Sequence, residues 1–281
     1  MSDSHQPGRV FQRGLGQRFK LGLQRFTRTI HHSFFDRGLP DRLAIYLHEL
    51  DPLATRLLDD SITELKRLGY RFVDAATYDS TDDHAGKVVM VSFDDNYRSW
   101  FENLDLFDRH EIKAMFYVNT LPLGCSSSSG EVVDYYNRLG AVADRRPLTE
   151  SELTELVARG HGIGAHTHSH YNLGALSDSE ALADIAVNLE VLAKIANRDI
   201  VDFSFPFGMP GNFRPVLEDK VRAMGVVRIA HATPGMQHVA KHGGTIHRAL
   251  WRQSRDFSAN LQDARVDGSK FVQMTGKSPV G

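Results

Sequence analysis

The sequence predicts an α/β fold built on a parallel sheet, and three observations support this prediction. Short apolar runs of strand length alternate with longer segments of helical periodicity, which is the pattern of repeated βαβ units. Residues capable of chemistry directly follow several of these runs, and parallel α/β folds place their sites at the carboxyl ends of strands. The chain has 281 residues, of which 41% are hydrophobic, enough for one large core or two small ones. We expect one domain over residues 40–252, with a further segment at each end.

The first half of the chain follows this strand and helix order. The run from Leu43 to Leu47 predicts the first strand, and a helix follows from about Ala54 to Leu68, where Gly69 ends it. The next predicted elements are a short strand at Phe72 and Val73, a strand from Lys87 to Phe93, a helix from Tyr97 to about His110 and a strand from Lys113 to Val118. Residues 121–147 then predict a long insertion over the strand ends.

Two capping boxes organise the second half of the chain. Thr149 with Glu152 opens a helix to Arg159, and Ser177 with Glu180 opens another to about Ile195. The other predicted elements are strands from His161 to Ala165, Asp202 to Ser204, Val226 to Ala230 and Thr245 to Leu250, and a helix from Phe213 to Met224. Beyond Arg252 the composition becomes polar, which predicts a loosely held C-terminal tail over residues 253–281.

Composition limits the classes of function and location. The formal net charge of −2 implies no general attraction to nucleic acid. A single cysteine, Cys125, excludes a disulfide within the chain and fits a reducing compartment. No stretch approaches 18 apolar residues, and the N-terminus lacks the apolar core of a secretory signal. We therefore expect a cytoplasmic protein.

The N-terminal segment, residues 1–39, has a basic amphipathic pattern. Residues 9–34 contain six basic residues and no acidic one, and apolar residues recur every three or four positions, as in an amphipathic helix. Gly14, Gly16 and Gly22 weaken such a helix by up to about 1 kcal/mol each. The segment either lies on an anionic membrane surface at the periphery, serves as an organellar transit peptide, or packs on the domain.

Two pairs of residues predict a metal site. Asp94 and Asp95 end a buried strand, where adjacent carboxylates repel one another unless a cation lies nearby. His166 and His170 are four residues apart, so one turn of helix would direct both imidazoles the same way. One carboxylate and two histidines leave coordination positions open, which is typical of catalytic zinc sites. Successive side chains diverge, so only one of the aspartates can bind the metal, and the other is free to act as a base.

Three motifs in order resemble those of the polysaccharide deacetylases of the NodB-like type, also called carbohydrate esterase family four. They are Ser92-Phe93-Asp94-Asp95-Asn96, His166-Thr167-His168-Ser169-His170 and Ser204-Phe205-Pro206-Phe207-Gly208. The resemblance extends from about Leu43 to Trp251. It implies a distorted (β/α) barrel of about seven parallel strands.

The resemblance also implies a role for each motif residue. Asp94 would be the general base, and the backbone N–H of Phe207 would help to form the oxyanion hole. The metal ligands would be Asp95, His166 and His170. Zinc is the divalent metal that we expect, although oxygen and nitrogen ligands also accept cobalt, nickel or iron.

The function that follows is a metal-dependent hydrolase that removes acetyl groups from an N-acetylated sugar or polysaccharide. Two alternatives stay open: an O-acetyl esterase acting on a glycan, and a catalytically weak sugar-binding relative involved in exopolysaccharide synthesis. Within the predicted insertion, Tyr135 and Tyr136 would either stack on sugar rings or pack inside the loop.

The chain departs from the family pattern at two positions. Asn96 replaces the usual glycine, and asparagine either adopts the positive φ that glycine allows or begins the next helix. Ser204 replaces an arginine that restrains the catalytic aspartate in many members. Arg248, on the last predicted strand, is our candidate to take that place, and the alternative is an ordinary surface arginine.

The proton donor is the least defined part of the site. In the family it is a histidine in a Leu-His pair near the end of the domain, and the nearest match here is His247, after Ile246. His231, His238 and His242 are alternatives in the same stretch, because a histidine is the natural acid near neutral pH. His48, after the first strand, either approaches the site or lies at the surface.

Overall fold

The computed structural model describes residues 36–81, 86–140, 146–208, 211–233 and 243–266, and its centre is a parallel sheet curled into a nearly closed barrel. The strands are β1 Arg42–Leu47, β2 Arg71–Phe72, β3 Val88–Asp95, β4 Met115–Val118, β5 Gly162–Ala165, β6 Asp202–Ser204, β7 Arg228–His231, β8 Thr245–His247 and β9 Ala249–Leu250. Their order is β8-β7-β6-β5-β4-β3-β1-β9, and β2 pairs beside β3. The predicted distorted barrel of parallel strands is confirmed.

The last strand closes the barrel by pairing with both edges of the sheet. β8 pairs with β7, with Ala230 beside Ile246, and β9 pairs with β1, with Ile45 beside Ala249. The sequence predicts one continuous strand here, but the pairing passes from one edge to the other at Arg248. β8 and β9 are therefore two halves of one strand, so the path around the barrel has seven strands when β2 beside it is left out, which agrees with the predicted number of about seven.

Strand alternation separates an apolar lower interior from a polar upper interior. Val88 and Met90 of β3 belong to a small cluster inside the barrel, together with Met115, Tyr117 and Ile246. Because successive residues point to opposite faces, Ser92 and Asp94 continue the same inner row toward the carboxyl ends of the strands. The opposite faces of the strands pack on the helices in the main core. The change from methionine to serine and aspartate along β3 therefore marks where packing ends and the candidate site begins.

The helices surround the barrel, and most lie where the sequence predicts them. They are α1 Pro52–Arg67, α2 Ala75–Ser80, α3 Ser99–Glu102, α4 Leu104–Arg109, α5 Gly130–Leu139, α6 Glu150–Ala158, α7 Asp178–Ala196, α8 Pro215–Ala223 and α9 Phe257–Ala264. Both predicted capping boxes are present, on α6 and α7. The single helix predicted from Tyr97 to His110 is wrong, because Asn103 separates α3 from α4 and its side-chain amide donates to the carbonyl oxygen of Ser99.

Two segments predicted as irregular contain helices. The insertion over residues 121–147 includes α5, which Ser129 caps by accepting a hydrogen bond from the N–H of Val132. The predicted loose tail begins with α9, whose Ala264 is buried, and Val266 beyond it is also buried. Polar composition was misleading here because Asn260 uses its side chain to bond the backbone of Arg252 instead of water.

His161 is a buried histidine outside the candidate site. Its imidazole lies between the rings of Phe107 and Phe116, and its Nδ1 accepts a hydrogen bond from the N–H of Ala114 at 3.1 Å. Within the described residues its Nε2 has no hydrogen-bond partner. Burial, assisted by the charge of Lys113, lowers the pKa of His161 to about 4.

Some predictions fall on residues that the structure does not describe. These are the basic segment over residues 9–34, the alternative donors His238 and His242, and the tail beyond residue 266. Of the described helices, none is both long enough and apolar enough to cross a membrane.

Candidate metal centre and active site

Asp94 lies inside the upper barrel, where it pairs with Arg248. The guanidinium Nη1 lies 2.6 Å from Asp94 Oδ1 and Nη2 lies 2.7 Å from Oδ2, and both side chains are buried. Burial acts to raise the pKa of Asp94, but the charge of Arg248, the nearby His166 and the hydrogen bonds from Arg248 outweigh it and hold the pKa below its ordinary value. Asp94 is therefore an ionised carboxylate with both oxygens fixed in direction.

Both terminal nitrogens of Arg248 are hydrogen-bonded in the barrel interior, and two aromatic rings flank its guanidinium group. Nη1 also donates to Ser92 Oγ at 3.0 Å, and Nη2 donates to Ser204 Oγ at 2.7 Å. The guanidinium carbon lies 4.6 Å from the ring centre of Tyr46 and 4.9 Å from that of Tyr117. The alternative of a surface arginine is wrong, since Arg248 is fully buried. Ser204, the departure from the family pattern, accepts a hydrogen bond from the arginine that supplies the charge.

Asp95, His166 and His170 converge on one point. Asp95 Oδ1 lies 3.6 Å from His166 Nε2 and 3.2 Å from His170 Nε2, and one potential ligand atom from each residue lies within 4.8 Å of the other two. All three side chains are buried. Among the residues that the structure describes, this is the one group of three or more acidic, histidine or cysteine side chains that could hold a metal ion.

The histidine turn corrects one step of the sequence argument. His166 and His170 do not share a helical turn, because Thr167 and His170 have φ values of 68° and 56°. An irregular turn, instead of helical spacing, brings the two imidazoles together. Asp95 has a φ of 86° and Phe207 one of 63°, so four of the six non-glycine residues with positive φ in the described chain belong to this site. Backbone strain of this kind is concentrated at functional sites.

Two buried asparagines hold the histidine turn in place. Asn188 of α7 accepts a hydrogen bond from the N–H of His166 at 2.9 Å and donates to the carbonyl oxygen of Val118 at 3.0 Å. Asn119, after β4, donates to the carbonyl oxygens of His166 and Thr167. The turn is thereby fixed to the end of β4 and to α7.

Sequence reasoning missed both asparagines as site residues, although the sequence around Asn188 contains a pattern that could have identified it. It occupies a stripe of α7 whose other buried members are Ala181, Ile185, Leu192 and Ala196. A polar residue within an apolar helical stripe must find a buried partner.

The chemistry of the cluster fits a divalent cation. His166 Nδ1 lies 2.7 Å from the carbonyl oxygen of Ser204, which can only accept, so Nδ1 carries the proton and Nε2 presents a lone pair toward Asp95. Burial lowers the pKa of His170 and outweighs the attraction of Asp95, which favours the neutral imidazole that binds metals. Burial acts to raise the pKa of Asp95, but hydrogen bonding and positive charge from the histidines outweigh it and hold the pKa below its ordinary value. When both imidazoles are neutral, a divalent cation would supply that positive charge instead. One oxygen and two nitrogen donors suit zinc and similar metals.

The third motif forms a strained turn beside the histidines. The Phe207 ring lies 4.9 Å from the His170 imidazole, edge to face. Among the hydrogen bonds of the described residues, none uses the Phe207 N–H. Gly208 has a φ of 54°, and a Cβ there would lie 2.5 Å from the backbone nitrogen of Ala232, so the turn requires glycine. Metal binding and the oxyanion role of Phe207 stay predictions.

The proposed base, the proposed metal ligands and Phe207 all line one cavity of about 190 Å³. Its lining includes Asp94, Asp95, His166, His170, Phe207 and His48. His48 follows β1, and its imidazole packs edge to face on Tyr46, 5.5 Å away. Of the two positions that the sequence left open for His48, near the site or at the surface, the structure shows the first.

His247 lies outside this cavity, and the geometry argues against its predicted role as proton donor. Strand alternation turns His247 outward, because its neighbours Ile246 and Arg248 face the barrel interior. Its Nδ1 lies 2.7 Å from Thr233 Oγ1. His231, the described alternative, also faces outward, with Nε2 3.6 Å from a carboxylate oxygen of Glu218.

The comparisons with known proteins agree with the fold. Residues 81–226, which are 146 of 281 residues, match the family described as polysaccharide deacetylase. The match includes all three motifs and ends before Arg248. No curated protein sequence matches the chain.

Solved structures show the same fold at low sequence identity. IcaB from Ammonifex degensii is 17% identical, with 81% of this chain and 98% of that chain covered and a TM-score of 0.65. The deacetylase PplD from Streptococcus pyogenes, solved in complex with acetate, is 16% identical, with coverages of 79% and 97% and a TM-score of 0.59. A de-N-acetylase from Aggregatibacter actinomycetemcomitans is also 16% identical, with coverages of 77% and 96% and a TM-score of 0.57.

Proposed function

The chain belongs to the polysaccharide deacetylase family, and from that premise we propose that it is a divalent-metal-dependent hydrolase that removes acetyl groups from N-acetylated sugar residues of a glycan. The observation that carries the proposal is the buried Asp95, His166 and His170 cluster beside an ionised carboxylate, Asp94, that is not needed to complete it. A binding protein has no use for a spare base.

The proposed metal ligands are Asp95 Oδ1, His166 Nε2 and His170 Nε2. A divalent cation held there would supply Lewis acidity, which polarises a carbonyl oxygen and lowers the pKa of a water molecule to about 7. Zinc is our proposed native metal on the basis of the ligand types, and cobalt, nickel and iron are outcomes of the metal analysis.

Asp94 is the proposed general base. It accepts a proton from a water molecule in the cavity while Arg248 fixes the direction of both carboxylate oxygens. The low pKa that Arg248 imposes makes Asp94 a weak base but keeps it ionised and ready to accept the proton. The ion pair compensates for this weak basicity by fixing the orientation of the carboxylate. A carboxylate free to rotate would point at the water molecule only part of the time.

The oxyanion needs a hydrogen-bond donor, and the leaving amine needs a proton donor. The N–H of Phe207 is the proposed oxyanion donor, and losing one such donor typically costs about 10²- to 10³-fold in rate. We assign proton donation to His48 instead of His247, because His48 lines the cavity together with Asp94 and Asp95. Imidazole gains and loses protons near neutral pH, which suits protonation of an amine as the C–N bond breaks.

A second hollow supports a substrate longer than a monosaccharide. It has a volume of about 570 Å³, and His48, Tyr97 and Leu139 line both this hollow and the catalytic cavity. A glycan could therefore extend from the catalytic cavity into the hollow. The relative described as a de-N-acetylase favours cleavage of an amide.

Acetate release tests the function and separates it from its alternatives. We expect the metal-loaded protein to release acetate from N-acetylglucosamine oligomers faster than from acetylated xylan, and Asp94→Asn to abolish release from both. Preference for acetylated xylan would identify an O-acetyl esterase that uses the same residues. Equal, measurable rates for the wild type and Asp94→Asn would contradict the role of Asp94 as the base. No release from either substrate by the wild type would favour a sugar-binding relative.

Residues 9–34 motivate a separate proposal about location. We propose that this basic, acid-free segment holds a cytoplasmic protein on an anionic membrane surface. Co-sedimentation with anionic liposomes should decrease when the residues before Leu39 are deleted. Equal sedimentation of the full and shortened chains would refute the membrane contact.

A further inference from the structure

Two aromatic side chains of the described residues are exposed, and each adjoins His170, one in the chain and the other by ring contact. Of the described tyrosine, phenylalanine and tryptophan residues, Tyr171 and Phe207 alone are exposed, each with 46% of its surface accessible. Tyr171 follows His170 in the chain, and the Phe207 ring packs on the His170 imidazole. Ligand pockets are commonly lined by aromatic side chains together with a few polar groups, so an exposed ring next to a residue of the cavity is a candidate contact for a ligand.

The sequence points to different aromatic residues for sugar stacking. Tyr135 and Tyr136 of α5 are fully buried. The Tyr135 hydroxyl donates to Asn119 Oδ1 at 2.8 Å, and the Tyr136 hydroxyl donates to the carbonyl oxygen of Asn96 at 2.6 Å. These tyrosines support the site from behind and cannot stack on a substrate.

Tyr171 is held in position before any ligand arrives. The Arg138 guanidinium lies 4.6 Å from the centre of its ring, and Arg138 Nη2 donates to the carbonyl oxygen of Ser169 at 2.9 Å. Arg138 also lies 6.0 Å from the ring of buried Tyr135, so α5 fixes the arginine and the arginine covers part of Tyr171. A ring held in this way loses little conformational entropy when a ligand covers its remaining surface.

We propose that Tyr171 is a specificity-determining residue that binds the pyranose ring next to the sugar being deacetylated. The apolar C–H groups on one face of a pyranose match the apolar face of an aromatic ring, and covering them removes apolar surface from water. Phe207 lines the catalytic cavity and would contact the acetylated sugar itself, whereas Tyr171 does not line the cavity but directly follows the lining residue His170 in the chain. The inference rests on the proposed function, because it assumes a glycan substrate.

The consequence is a preference for oligomers. A monosaccharide fills the catalytic cavity alone and gains nothing from Tyr171, whereas a longer glycan covers the ring. We expect the wild type to have a lower KM for an N-acetylglucosamine pentamer than for the monomer. Tyr171→Ala should raise the pentamer KM about five- to tenfold, with kcat and the monomer KM unchanged.

Two further variants distinguish stacking from a structural effect. Tyr171→Phe keeps the ring and should behave as the wild type, whereas loss in that variant would assign the effect to the hydroxyl and overturn the stacking role. Met224→Ala removes an exposed apolar side chain from the end of α8 and should change neither KM. An equal loss of kcat on monomer and pentamer in Tyr171→Ala would mean that the adjacent His170 turn has moved, which would also overturn the proposal.

Binding measured without turnover separates this inference from the proposed function. Calorimetry compares pentamer binding to Asp94→Asn with binding to Asp94→Asn/Tyr171→Ala, and we expect about five- to tenfold weaker binding in the double variant. Equal affinities, or no binding of the pentamer to either variant, would overturn the inference. Absence of acetate release by the wild type would refute the proposed function alone. The pentamer affinities of Asp94→Asn and Asp94→Asn/Tyr171→Ala do not depend on turnover and would still test the role of Tyr171.

Discussion

Replacing Arg248 by methionine tests whether a single buried arginine maintains the carboxylate of Asp94. Methionine has a similar length but no charge and no hydrogen-bond donor. The change would leave the Asp94 carboxylate buried in the barrel without the two hydrogen bonds at 2.6 and 2.7 Å. Ser92 and Ser204 would each lose a donor as well.

The expected loss of stability is large. Removing one partner of a buried ion pair typically costs about 3–5 kcal/mol, because the remaining charge is uncompensated. We expect that decrease in the free energy of unfolding of Arg248→Met at pH 7. Asp94→Asn/Arg248→Met contains neither charge, so its loss should be at least about 2 kcal/mol smaller than the sum of the losses of the two single variants.

The pH dependence provides an independent check on the same variant. In the wild type Arg248 holds the pKa of Asp94 below its ordinary value, so this stabilisation is present above pH about 3.9 and is lost as pH falls through the folded-state pKa. Without the arginine, burial raises the pKa of Asp94, and the penalty for ionising it grows as pH rises above about 3.9. The stability difference between wild type and Arg248→Met should therefore narrow as pH falls from 7 toward 4.

Urea unfolding of chelator-treated protein measures these differences, and Arg67→Met is the matched control. Arg67 pairs with Glu64 on the surface of α1, so its loss should change stability by less than about 1 kcal/mol. The reasoning is refuted if Arg248→Met loses less than about 1 kcal/mol. It is also refuted if the double variant equals the sum of the single variants within about 0.5 kcal/mol.

Three further predictions concern the proton donor, a buried histidine and the strained turn. In acetate-release assays, His48→Gln should lower kcat by about 10²-fold or more and His247→Gln by less than twofold, and the reverse order would restore the sequence prediction for His247. The pKa of His161 is about 4 when folded and about 6.5 when unfolded, so its contribution to stability is complete above pH 6.5 and is lost between pH 6.5 and 4, amounting to about 2 kcal/mol at pH 5. Urea unfolding should show this loss between pH 7 and 5 in the wild type and less of it in His161→Phe, and equal pH slopes would contradict the assignment. Gly208→Ala should lower kcat and destabilise the fold by about 1–3 kcal/mol while metal content stays the same, because a Cβ would collide with Ala232, and unchanged kcat would exclude a role for this turn.

The features predicted from sequence are those that local pattern determines. Buried strands of a parallel barrel are apolar on both faces, so β3 is recognisable from its composition, and the capping boxes of α6 and α7 lie in short sequence windows. Asp94 and His166 follow their strands directly, so the common direction of parallel strands brings them to the same end of the barrel.

The features that sequence reasoning missed depend on contacts between distant segments or on unusual backbone. The direction of His247 depends on where β8 changes partners, and Asn188 supports His166 from a helix 22 residues away. The irregular turn has a positive φ at Thr167, and because this residue is not glycine the sequence does not predict that conformation. The sequence suggests Arg248 as the partner of Asp94, and the structure pairs the two side chains, but the position of Arg248 between two tyrosine rings follows only from barrel closure.

The central claim is that Asp95, His166 and His170 bind one divalent ion while Asp94 does not take part in binding it. Elemental analysis of gently purified protein, combined with calorimetric zinc titration of the chelated protein, tests this claim most directly. We predict one equivalent of metal in the wild type and in Asp94→Asn, and a loss of high-affinity binding in Asp95→Ala and His170→Ala. Stoichiometric metal that persists in both of these last variants would place the ligands elsewhere and contradict the account.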